Sequence, residues 1–192
     1  MSYFKKIAFS LLALFLFYRA IDLLRDLSTH SPDGYSQTET FVLAILITLF
    51  ITGVFALPGF VFSTNKLLSD SYYRIRNAHY LERSYRLMGL KYYRYLLLVF
   101  FWGQRKNRQK YFDGTRMGLE NLDYQSRQSE FGHLGAFLLI VIASVYLLML
   151  GYFLMVTTAM LINVIGNLYP VVLQRYHRMR LERLKQKIGK IS

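Results

Sequence analysis

Two side chains able to move a proton stand three residues apart, in Glu130-Phe131-Gly132-His133. Residues at i and i+3 share one face of a helix, so the carboxylate and the imidazole can meet. Histidine is the natural base near neutral pH, and a neighbouring carboxylate can fix its tautomer and raise its basicity. The same E-x-x-H spacing has two other readings, a single interfacial hydrogen bond or half of a metal site. Di-iron bundles need two such copies and two further carboxylates. This chain has no second E-x-x-H, so no metal centre is expected.

A second polar group runs from Asn163 to Arg180. At about 100° per residue, Asn167, Gln174 and Arg178 fall about 40°, 20° and 60° from Asn163, which makes one stripe on a helix. Polar side chains in an apolar helix normally face a bundle interior or a cavity, because lipid offers them no partner. Pro170 lacks the N–H that the Gly166 carbonyl would accept, so the helix can kink there and keep a spare acceptor. The alternative role for such a stripe is hydrogen-bond glue between helices, ending in a snorkelling basic tail.

These residues must be carried by membrane helices. Residues 41–62 hold 22 positions without a charge, and 134–173 hold 40. A bilayer's hydrocarbon core takes about 20 apolar residues, so the first run is one span and the second is two. A turn near Leu150-Gly151-Tyr152 divides the second into about 131–150 and 153–174, since glycine tolerates tight-turn angles. One long kinked helix is the alternative. The first span, about 7–24, contains Arg19 and Asp22, spaced to pair or to mark the helix end at the interface. Lys5 and Lys6 before an apolar run resemble a signal peptide, but no small-residue cleavage site follows. The apolar patch Tyr95–Trp102 is too short to span and fits the headgroup layer.

The composition agrees. Hydrophobic residues make up 54% and charged ones 18% of 192, an apolar excess that a soluble core of this size does not need. Cysteine is absent, which excludes disulfides, thiol nucleophiles and iron–sulfur clusters. The net charge of +13 comes from 24 Lys+Arg against 11 Asp+Glu. Thirteen of those bases lie in 63–133 and seven in 174–192, whereas the 25–40 connection has only Arg25. The positive-inside rule then places both termini and the interfacial 63–130 loop in the cytoplasm. Basic residues interleaved with tyrosine suit amphipathic helices on a membrane surface, and nucleic acid is not an expected partner. The expected fold is an all-α integral membrane protein, one domain over 1–192, with four transmembrane helices and cytoplasmic amphipathic helices.

With E-x-x-H entering a span, and a further span closing on Asn167, Gln174, Arg175, Tyr176, Arg178, Arg180 and Leu181, the chain resembles the bacterial glycosyl-4,4'-diaponeurosporenoate acyltransferase family of the staphyloxanthin pathway. The resemblance covers about 85–185, and Asp113-Gly114 after a basic, aromatic segment belongs to it. Two stretches depart from the family: its W-K-x-x-x-P-D-G-like motif is loosened here to Tyr111-Phe112-Asp113-Gly114, and Leu134 follows the histidine in place of tryptophan. The resemblance implies an O-acyltransferase of the bacterial inner membrane that esterifies a sugar hydroxyl of a glycolipid-like or glycosylated isoprenoid-like acceptor. The acyl donor would be acyl-CoA or acyl-carrier protein, with no bound cofactor. In that reaction His133 would be the general base and Glu130 would orient it. Asn167 and Gln174 would serve the oxyanion or the sugar, Arg175, Arg178 and Arg180 the donor's phosphates, and Tyr176 and Asp113 the substrates. A non-catalytic membrane scaffold and a small lipid methyltransferase or reductase are the rival readings, and the sequence sets no oligomeric state.

Overall fold

The computed structural model describes residues 3–102 and 116–188. Among them every regular element is helical. Helix α1 (Tyr3–Thr29) is followed by α2 (Gln37–Gly59), the short α3 (Asp70–Tyr73), α4 (Ala78–Leu87) and α5 (Leu90–Leu97). Helix α6 (Arg116–Met149), α7 (Phe153–Asn163) and α8 (Tyr169–Ile188) complete the order. Four helical stretches are long and apolar enough to cross a membrane: Tyr3–Thr29, Gln37–Gly59, Met117–Met149 and Phe153–Gln186.

The described residues group into two compact units. Met1–Thr64 and Gly132–Leu168 form the first, and Asn65–Phe131 and Tyr169–Ser192 the second.

In the first unit the sequence dictates the helix ends. Helix α2 starts on a reciprocal capping box, in which Ser36 accepts from the Glu39 N–H while Glu39 accepts from the Ser36 N–H at 2.8 Å. The turn expected near residue 151 is present, and Gly151 takes φ 89°, a conformation other residues resist. Tyr152 beside it is buried and donates to the Leu27 and His30 carbonyls, both at 3.0 Å. That satisfies the end of α1, whose last carbonyls have no helical donor. The core is apolar and close-packed: Leu27, Ala44, Leu147, Met155 and Ala159 form one cluster, and Ala20, Ile47, Ile51, Ile140 and Ala143 a second. Helices approach closely through small residues, since a Cβ at Gly135 would collide with the Phe55 ring. Arg19 and Asp22 form the ion pair that their spacing allows, at 2.7 Å.

In the second unit, α4, α5 and α8 pack around Tyr85, Leu90 and Leu173. Ser69 caps α3 by accepting from the Tyr72 N–H, and Asn77 caps α4 by accepting from the Tyr80 N–H at 3.1 Å. The apolar patch Tyr95–Trp102 continues α5 into a π turn, Leu98–Trp102, and leaves Tyr95, Val99 and Phe100 exposed.

Candidate functional site

The first unit contains a chain of neutral polar groups within its apolar helices. Between α7 and α8 the backbone widens into a π turn, Val164–Leu168, just before Pro170. Such a turn is the usual response of a helix that must absorb one residue of mismatch, and it re-aims the side chains it contains. Asn163 and Asn167 are both fully buried here. Asn163 Nδ2 donates to the Phe137 carbonyl at 3.1 Å, and its Oδ1 accepts from Asn167 Nδ2 at 3.0 Å. Asn167 Nδ2 also donates to Thr52 Oγ1 at 3.2 Å. With both N–H groups so committed, the amide can be placed only one way, and Oδ1 is left for His133 Nδ1 at 3.1 Å.

That contact decides a tautomer. An amide oxygen only accepts, so Nδ1 must carry the ring proton, and Nε2 is then the unprotonated, basic nitrogen.

The second unit answers polarity with charge. Glu130 and Arg178 are both fully buried and form an ion pair. Two further donors approach Glu130, and Arg178 has one further acceptor. Tyr72 donates its hydroxyl to Glu130 Oε1 at 2.8 Å, Arg175 Nε lies 3.6 Å from the same oxygen, and Arg178 Nη1 donates to Ser126 Oγ at 3.0 Å. Buried charges need this degree of satisfaction, because the desolvation of each ion costs several kcal/mol. Two guanidiniums flank the buried Tyr73 ring, Arg127 at 4.9 Å and Arg178 at 5.1 Å, and Arg175 lies 4.9 Å over Tyr72. Cations attract the negative faces of aromatic rings, so these stacks orient the arginines as well as the carboxylate does. Burial, and then the Glu130 charge, push the Tyr72 hydroxyl above its ordinary pKa, which keeps it a donor.

The residues of the sequence stripe do different work. Asn163 and Asn167 bind within the first unit, whereas Gln174 Nε2 donates to Ser129 at 3.4 Å and its carbonyl accepts from Ser126 in the second. Glu130 and His133 share α6, yet the carboxylate oxygens go to Tyr72 and Arg178, and the imidazole goes to Asn167. Arg178, expected to bind phosphate, is 1% exposed with its charge already paired. Arg175 donates to the Tyr72 carbonyl at 2.8 Å, Tyr176 stacks on Tyr85 at 4.0 Å, and Arg180 is exposed. Asp113 lies outside the described residues. Thr52, Tyr72, Tyr73 and Ser126 complete these clusters without any sequence spacing that marks them.

Described residues that are helical in every regular element, with four helices of membrane-spanning length among them, define a multi-span membrane protein. It belongs to the glycosyl-4,4'-diaponeurosporenoate acyltransferase family, whose model matches residues 69–187, more than half of the chain. The match takes in Tyr72, Glu130, His133, Asn167 and Arg178, and it places the protein among acyltransferases of the carotenoid pathway. No curated protein and no solved structure matches the chain.

Proposed function

We propose that this protein is an integral-membrane O-acyltransferase in which His133 is the general base. The acyl donor is acyl-CoA or acyl-carrier protein, and the acceptor is a sugar hydroxyl on a glycosylated isoprenoid-like lipid. His133 Nε2 takes the hydroxyl proton as the oxygen attacks the thioester carbonyl, and, as the C–S bond breaks, the imidazolium gives that proton to the departing thiolate. Asn167 orients the ring and stabilises the imidazolium through Oδ1, the part an orienting carboxylate plays in other triads. The observation that carries this reading is the hydrogen bond of His133 Nδ1 to an amide whose two N–H groups are already spent on Thr52 and Asn163.

Three assignments change with it. Asn167 has no N–H left for an oxyanion, so it serves the base, and Gln174 remains the candidate for the sugar. Glu130 and Arg178 hold the second unit together, while Arg175, Tyr176 and Arg180 are its candidate substrate contacts, with Asp113 a further candidate for the acceptor. The chain lies in the bacterial inner membrane with both termini cytoplasmic, so its basic helices meet cytosolic donors at the headgroup surface.

The test is acyl transfer by purified protein, from radiolabelled acyl-CoA or acyl-carrier protein to a glycosylated carotenoid extract. His133→Ala, at matched membrane expression, is expected to lower the rate by about 10²–10⁴-fold, the usual worth of a positioned base. Full activity in that variant would remove His133 from the chemistry. A wild type inactive with every acyl donor would favour the scaffold reading.

A further inference from the structure

The second unit contains a cationic spot, made by Arg94 and Arg180, where buried polar atoms also lack partners. Some arginines of this unit are paired, Arg178 with Glu130, Arg127 with Asp70 and Asp123, and Arg183 with Glu82, while Arg74, Arg76, Arg83 and Arg86 enter no ion pair among the described residues. Arg94 on α5 and Arg180 on α8 have no ion pair among the described residues. Both act electrostatically on Tyr85 and on His177, so the two guanidiniums converge on one locality.

The groups there are donors in want of an acceptor. Tyr85 is 7% exposed, its ring lies flat on Tyr176 at 4.0 Å and 14°, and its buried hydroxyl has no hydrogen-bond partner. Arg94 Nε is likewise buried and without a partner. A buried polar atom left unsatisfied costs about 1–3 kcal/mol, so two of them beside converging like charges ask for a third component. That component must be anionic and must offer several oxygens, because two guanidinium forks, a phenol and an imidazole all supply N–H or O–H groups. A carboxylate offers two oxygens, while a phosphate offers three or four arranged around a centre and suits arginine forks.

We propose that Arg94, Arg180, the Tyr85 hydroxyl and His177 form a phosphate-binding site between α4, α5 and α8. Its ligand is a phosphate ester from one of two sources, the phosphate groups of coenzyme A or the phosphodiester of an anionic lipid headgroup. Only the first source rests on the acyl-transfer reading. The ring stack and the Leu90–Leu173 packing hold the three helices in register, so the donors are set before the ligand arrives.

The test measures thermal unfolding of the full-length protein in the absence of turnover, since a ligand that binds only the folded state raises its melting temperature. One arm titrates coenzyme A into detergent-purified protein. The other compares protein in phosphatidylcholine vesicles with protein in vesicles containing phosphatidylglycerol. Stabilisation by coenzyme A marks the donor as the source, stabilisation by phosphatidylglycerol marks the headgroup, and either supports the site. The double variant R94Q/R180Q is expected to need roughly tenfold or more of the stabilising probe for the same shift, and Tyr85→Phe a smaller excess. Should R94Q/R180Q fail to fold, Arg94→Lys and Tyr85→Phe, which keep the charge and the ring stack, carry the same comparison. The site is overturned if neither probe stabilises the wild type, or if the variants respond as the wild type does. A wild type that binds coenzyme A through Arg94 but transfers no acyl group would keep the site and sink the acyl-transfer reading.

Discussion

The first unit handles polarity with neutral amides and the second with buried charge, and the difference follows from what each must do. Asn163, Asn167, Thr52 and His133 form a chain in which each link is a hydrogen bond between uncharged groups. Such a chain costs little to place among apolar helices and fixes one ring tautomer. Glu130, Arg178, Arg175 and Tyr72 instead gather opposite charges around one carboxylate. A buried ion pair holds geometry rigidly, but it rewards the fold only while complete. The neutral chain uses only Nδ1 of the imidazole, whereas the charged cluster uses its groups on one another.

The strongest way to break this contrast is to remove one member of the pair. Glu130→Ala leaves Arg178 buried and uncompensated, and is expected to destabilise the protein by about 3–5 kcal/mol, read by denaturant titration of the purified chain. A loss below about 1 kcal/mol would mean that the pair is solvated or dispensable. In the neutral chain, Asn167→Leu should cost less, about 1–3 kcal/mol for the Thr52 and Asn163 groups it strands. Its larger signature should be on activity, a fall of about 10²-fold, because the imidazole is no longer held in one tautomer. Unchanged activity in that variant would separate the amide from the base.

The smallest effect expected is alkaline. Burial raises the pKa of Tyr72, Tyr73, Tyr85 and Tyr93 in the second unit. A phenol whose folded pKa lies above its unfolded value stabilises the fold fully below about pH 10, and that contribution is lost as pH rises through the folded value. Melting temperature should therefore hold from pH 7 to 9 and fall above about 10, and Tyr72→Phe and Tyr73→Phe should flatten the fall. An unaltered slope in those variants would locate the alkaline transition elsewhere.

How far these clusters were legible depends on sequence distance. The stripe of Asn163 and Asn167 shows in helical periodicity, because it is a local property of one stretch of chain. The hairpin at Gly151 and the four membrane-length helices follow from length and hydropathy alone. Thr52 gave no signal. A threonine in an apolar helix ordinarily bonds its own backbone, as Thr48 does with the Ala44 carbonyl at 2.7 Å, and only the fold shows Thr52 turned to an amide 115 residues away. Tyr72 and Tyr73 were hidden differently, among tyrosines and arginines that read as a membrane-surface segment. Spacing also suggested that Glu130 orients His133, but a shared helical face says nothing about competitors. Arg178 and Tyr72 arrive from other elements and take the carboxylate.

The claim that a spent amide fixes His133 as a base is tested most directly by the ring's ¹⁵N chemical shifts at neutral pH, assigned by difference against His133→Gln. A protonated Nδ1 and an unprotonated Nε2 are expected, with the two tautomers mixing in Asn167→Leu. A ring protonated at Nε2, in the wild type, would contradict the account.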